Sequence, residues 1–217
     1  MTATRPAALA LVAALVAGCA TTLKPAPEAT TVGGPGQNAV GAAAGVRVVA
    51  RAEAWHGEPA ALDSIVTPIL VTIENDSPHP LRVRYEQFTF VTADGRRLAA
   101  RGPYDITGVV SEPAASPPPI LGPGIVGFVR GRPVYIDPFY DPFFYGRWSF
   151  YPVQLPTGDM VQFALPQQTL ARGGRVSGFV YFERVERAAR RVALTFDLVD
   201  ADTGQRFGTV SIPFVVS

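Results

Sequence analysis

Ile69-Leu70-Val71-Thr72-Ile73-Glu74-Asn75-Asp76-Ser77-Pro78 decides how this chain is read. Ile69, Val71 and Ile73 alternate with Thr72 and Glu74, the period of a strand with one apolar face. Asn75-Asp76-Ser77-Pro78 then supplies residues that close a turn. Upstream, Val46, Val48, Ala50, Ala52 and Ala54 alternate with Arg47, Arg51 and Glu53 in the same way. Downstream, Leu81, Val83 and Tyr85 hold odd positions, whereas Phe88 and Phe90 hold even ones. The slip at Glu86-Gln87 predicts a β-bulge or a change of sheet, and Asp94-Gly95 predicts a hairpin.

The C-terminal part repeats the pattern. Val176, Gly178, Val180 and Phe182 share one face, and Val192, Leu194, Phe196 and Leu198 follow after a charged connection. Asp200-Ala201-Asp202-Thr203-Gly204 turns the chain into Phe207, Val210, Ile212 and Phe214. Pro213 suits an edge or an outward face, because it has no N–H to donate. One short helix is predicted over 157–165, with Thr157 as N-cap and Asp159 in the first turn. Six to eight short strands without alternating helices specify a mainly β fold, an antiparallel β-sandwich. Residues 46–217, about 170 in all, suit one domain with an insertion at about 108–156. Residues 19–45 hold mostly Ala, Thr, Gly and Pro and are expected to form a flexible linker.

Two resemblances add to this reading. Val71-Thr72-Ile73-Glu74-Asn75, then Phe88-Thr89-Phe90 and Asp94-Gly95, resemble the strand and hairpin of bacterial extracytoplasmic immunoglobulin-like domains. Gly174, Gly178 and Phe182 resemble a later strand of the same domains. The likeness covers about 46–107 and 157–217 and implies an immunoglobulin-like sandwich interrupted by the Pro- and aromatic-rich insertion. At the N-terminus, Arg5 precedes the apolar run Ala7–Ala17, which is too short to span a bilayer. Leu15-Val16-Ala17-Gly18-Cys19 resembles the lipobox of bacterial lipoproteins. That resemblance implies a signal peptide over 1–18, cleavage between Gly18 and Cys19, and acyl chains such as palmitate on Cys19. Ala20 and Thr21 follow where an aspartate often marks retention at the inner membrane, which implies the outer membrane. Cys19 is the sole cysteine, so no disulfide is expected.

Residues that carry chemistry are sparse. Residues 128–151 hold ten of the 22 aromatic residues. Tyr135, Phe139, Tyr140, Phe143, Phe144, Tyr145 and Trp148 make this segment the candidate interaction surface, since aromatic rings stack on sugars and anchor protein partners. The same rings could instead cover the core of the sandwich. Gly122-Pro123-Gly124-Ile125-Val126-Gly127 has dinucleotide-loop spacing but lacks a preceding strand and a following helix. His56 and His79 are the only histidines, and neither lies near a G-x-S-x-G elbow or another histidine at zinc-ligand spacing. Asp200, Asp202 and Gly204 read as a hairpin turn, lacking the full calcium loop. Arg184, Arg187, Arg190 and Arg191 with Glu183 and Glu186 read as a solvated hairpin end with mutual salt bridges. A net charge of +1, with balanced acids and bases, argues against a nucleic-acid partner or a polybasic lipid-binding patch. The expectation is a lipid-anchored envelope protein, without cofactor or metal, in a non-catalytic structural or protein-interaction role. The alternative is a lipoprotein that binds envelope glycan or peptide through the aromatic insertion.

Overall fold

A computed structural model describes the backbone over residues 21–33, 38–113, 125–129, 132–136 and 150–217, and the side chains of these apart from 113, 125–129 and 132–136. Four strands carry the first layer in the order β4 (Val46–Arg51), β5 (Val66–Asn75), β14 (Gly174–Glu183) and β8 (Arg97–Arg101). β7 (Phe88–Thr92), β15 (Arg191–Asp200) and β16 (Arg206–Val216) form the second. All of these pairings are antiparallel. In chain order these are the A-B-E-D and C-F-G sheets of an immunoglobulin constant-type sandwich. The β7–β8 hairpin joins the two layers along one edge, through Phe90 opposite Leu98.

Between the layers the alternation works as the sequence predicts. Ile69, Val71 and Ile73 of β5 are fully buried, as are Phe88 and Phe90 of β7, and Phe196 of β15 is all but buried. Phe88 stacks on Phe196 at 4.3 Å, and Phe90 reaches across to Phe182 of β14 at 4.2 Å. The slip at Glu86-Gln87 is neither a bulge nor a change of sheet. A 3-10 turn over Tyr85–Gln87 separates β6 (Leu81–Val83) from β7, and both strands still pair with β15. Gln87 ties the turn down, accepting from Arg84 N at 2.8 Å and donating to Asp197 O at 2.7 Å.

The stretch 19–45, expected as a linker, is built into the sheets over most of its described length. β1 (Leu23–Pro25) pairs with the outer edge of β16. β2 (Thr30–Val32) pairs with β3 (Asn38–Ala43), which pairs with β4. The small side chains that suggested disorder allow close approach instead. A Cβ on Gly41 would lie 2.6 Å from Val210 and 2.8 Å from Ile212, so β3 packs nearly onto β16 and draws the sandwich toward a barrel. Ala39 is fully buried there. Pro213 sits where expected. Its carbonyl accepts from Ala26 N at 3.0 Å, so its missing N–H faces the side where β1 ends, and the β15 ladder loses nothing.

A second core lies on the outer face of the first layer. Phe179 and Tyr181 of β14 point away from the sandwich and meet Leu62, Val66, Ile106, Val110, Leu155 and Met160. Apart from Val66, which opens β5, these come from the connection after β4 and from the long excursion between β8 and β14. The excursion holds β9 (Gly108–Pro113), the hairpin β10 (Ile125–Val129) and β11 (Arg132–Ile136), and β12 (Phe150–Leu155), which pairs with β9. It returns through α1 (Gly158–Gln162) and β13 (Gln168–Leu170), which pairs with β6. Thr157 caps α1 by accepting from Met160 N at 3.3 Å, as predicted. The helix stops short of Leu165 because the chain is pulled onto β14: Phe179 N donates to Phe163 O, and Leu165 N to Phe179 O, each at 2.8 Å.

Candidate functional site

The β9–β12 ribbon leaves the second core as a two-faced arm. Directly opposed residues of an antiparallel pair share a face. Val110 and Val153 thus face inward with Leu155, and Val110 and Leu155 are buried. Glu112 is only 5% exposed, and its carboxylate accepts from Ala61 N at 2.8 Å, pinning the arm to the connection after β4. On the other face Val109 and Phe150 are 54% and 57% exposed; Tyr151, opposite Glu112 on the inner face, is 44% exposed. At the root of the excursion, Tyr104 stands 73% exposed on a 3-10 turn over Pro103–Asp105. It borders a groove shared with Glu86, Asp105, Gln162 and Gln167.

Most of the candidate interaction residues lie outside the described residues: Phe139, Tyr140, Phe143, Phe144, Tyr145 and Trp148. Tyr135 is described in its backbone alone, in β11 opposite Val126. Gly18 and Cys19 also lie outside. The described chain begins just after them, at Thr21, and Thr22 is already fixed. Its N–H donates to Ser217 O at 3.0 Å and its carbonyl accepts from Ser217 N at 2.9 Å. Of the glycine-rich motif, Ile125-Val126-Gly127 is described, and it opens strand β10 with no helix.

The other polar cluster closes loops at the opposite end of the sandwich. Asn75 ends β5 fully buried, and every bond of its amide is made. Nδ2 donates to His79 O and Leu170 O at 2.9 and 2.8 Å, while Oδ1 accepts from Ser77 N and Ser77 Oγ at 3.1 and 2.6 Å. Asp200 opens the β15–β16 turn. Its Oδ1 accepts from Asp202 N and Thr203 N at 2.8 and 3.0 Å, and its Oδ2 meets His79 Nδ1 at 2.8 Å. The backbone N–H of Thr203, then that of Asp202 and the His79 ring, hold this carboxyl below the usual carboxylate range. The His79 ring also lies against Phe207 at 4.9 Å. A serine is close by, but Ser77 Oγ is taken by Asn75 Oδ1, His79 O and His79 N, all away from the imidazole. His56 borders a shallow groove with Lys24, Arg51 and Glu53. Between β14 and β15, two of the charged residues pair outside the connection: Glu183 with Arg101, and Arg191 with Glu28 at 2.9 Å.

Comparison with protein-family models, with curated proteins and with solved structures finds no match to this chain. Sequence reasoning overlooked the outer core, where Trp55 meets Phe179 edge-on at 5.1 Å and donates from Nε1 to Pro59 O at 2.8 Å. The signal was present: Phe179-Val180-Tyr181-Phe182 is apolar in both phases, the mark of a strand covered on two faces. No described helix is long and apolar enough to cross a membrane.

Proposed function

We propose that this chain is a lipid-anchored protein of the cell envelope, held at the outer membrane by acyl chains on Cys19, whose folded body has a non-catalytic structural or protein-interaction role. The lipobox-like Leu15–Cys19 supports the anchor. The interaction role rests on one observation above all. The β9–β12 arm is fixed to the body by its inner face while its outer face offers Val109 and Phe150 to solvent, and Tyr151 stands exposed opposite Glu112. Such exposed apolar side chains give a partner apolar area to bury.

Two measurements test the reading. Cys19→Ala must abolish incorporation of labelled fatty acid and sedimentation with membranes; unchanged labelling would end the anchor. A photo-crosslinking residue placed at Val109 or at Phe150 in cells is expected to give a discrete adduct, whereas one at Asp202, on the far end, is not. Indistinguishable adducts at all three positions would remove the arm as the contact surface.

A ligand-binding role is the second reading. Tyr104 favours it, because an exposed ring beside the amides of Gln162 and Gln167 and the carboxylates of Glu86 and Asp105 suits a sugar face and its hydroxyls. Titration with cell-wall glycan fragments tests it, and Tyr104→Ala must remove any binding seen.

A further inference from the structure

The anchor and the body are too close for the body to hang free of the membrane. We infer that the end of the sandwich carrying Thr22 and Ser217 rests in the headgroup layer of the bilayer that holds the chain, with the β14–β15 connection and the β7–β8 hairpin facing the lipid. This inference rests on the proposed acylation of Cys19. From Cys19 to Thr22 there are three Cα–Cα steps, a reach of at most ~11 Å. The polar layer on each side of a bilayer is itself ~5–8 Å thick, the difference between the total and hydrocarbon thicknesses. Thr22 has no slack to add, because both of its backbone groups bond to Ser217, and Leu23–Pro25 continue as strand against β16.

Hydrogen bonds define which surface surrounds that point. Val216 N donates to Arg190 O at 2.8 Å, and Ala93 N to Arg191 O at 3.2 Å, so both the 184–190 connection and the 93–96 hairpin flank the anchor. Thr21 and Thr22 share a pocket with Trp55, Asp63 and Arg184, which adds the connection after β4 to the same end. Arg184 and Arg190 of the first connection and Arg96 of the hairpin are exposed, beside Glu186, Asp94 and, after β4, Glu53 and Asp63. The guanidinium groups among them suit lipid phosphates, which bind Arg in bidentate fashion. His79, Asp200 and the turn at 201–205 then point away from the membrane.

The test uses full-length protein purified from membranes and reconstituted in phosphatidylglycerol-containing vesicles with a headgroup-linked nitroxide quencher. Fluorophores are attached through Ala188→Cys or, separately, Asp202→Cys. Several-fold stronger quenching at position 188 than at 202 is expected. A flexible Gly/Ser insert of about 20 residues between Ala20 and Thr21, spanning ~25 Å, should remove that difference while fatty-acid incorporation stays unchanged. Equal quenching at the two positions in protein that does carry fatty acid would overturn the orientation and leave the anchor standing. Absence of fatty acid from the purified protein would overturn both.

Discussion

Gly178 and Leu165 touch backbone to backbone. A Cβ at position 178 would lie 2.4 Å from Leu165 Cα and 2.6 Å from its nitrogen, closer than atoms can approach. The contact exists because residues 163–165 bond to Phe179 on their way from α1 to β13, laying the returning excursion across β14. Gly178→Ala is expected to destabilise the protein by about 3 kcal/mol, at the upper end for an overpacked site. Gly158→Ala, at an open position in the first turn of α1, should be neutral or slightly stabilising. Denaturant unfolding of the two variants checks the contrast, and equal effects would contradict the crossing.

Asn75 is the polar counterpart of that crossing. It links β5 to the turn at 77–79 and to Leu170, which lies 95 residues further along. Asn75→Ala removes a donor from the carbonyls of His79 and Leu170 and an acceptor from the N–H of Ser77 in a buried place, for an expected loss of about 3 kcal/mol. Asn75→Asp is isosteric but aims an acceptor at the carbonyls of His79 and Leu170. Its carboxyl would be favoured protonated, with a folded pKa above the unfolded one. Stability of this variant should therefore be best in acid and fall as pH rises through the folded value. A pH series of melting curves decides it.

How far such features could be read beforehand depended on their range in the chain. Alternation is local, so β5, β7 and β15 were legible from Ile69, Phe88 and Phe196 onward, and the hairpin at Asp94-Gly95 from two residues. Residues 21–45 were not, because low hydrophobicity was read as inability to order. Ala39 and Gly41 are ordered by a backbone ladder with β4 and by close approach to β16, both of which favour small side chains. The His79–Asp200 pair spans 121 positions and follows from the sheet order alone. The arm was foreseen as an insertion, but its fixed root was not, since Trp55 and Glu112 act through partners distant in sequence.

Acid should act in part through Asp200 and Glu74. The Thr203 N–H foremost lowers the Asp200 carboxyl from its reference of 3.8, and a side-chain hydrogen bond from Arg47 at 2.8 Å lowers that of Glu74 from 4.5. Groups whose folded pKa is depressed stabilise the fold above their unfolded values, and that contribution disappears as pH falls through the folded ones. Unfolding free energy is thus expected to be flat near neutrality with respect to these groups and to decline below about pH 4. Asp200→Asn can still accept from Asp202 N and Thr203 N through its amide oxygen but no longer titrates. Its decline below pH 4 should be shallower than that of the parent. An unchanged acid limb would show that Asp200 contributes nothing to it.

Tyr181 joins the outer core to the return of the excursion, its hydroxyl donating to Met160 O at 2.8 Å in a buried position. Burial, with a smaller contribution from Tyr85, pushes the phenol well above its reference of 10.0. A raised folded pKa stabilises below the unfolded value and loses that stabilisation as pH climbs past it, so part of the alkaline unfolding of this protein belongs to Tyr181. Tyr181→Phe should cost about 1 kcal/mol at neutral pH and flatten the limb above pH 10. Trp55→Ala should cost about 4 kcal/mol within the outer core, where the indole packs on Phe179 and Tyr181. Because that core sits outside the sandwich, the damage should be local. Hydrogen exchange is expected to accelerate in β9, β12 and α1 while β15 and β16 keep their protection. Equal acceleration throughout would mean that the arm and the sandwich open as one unit.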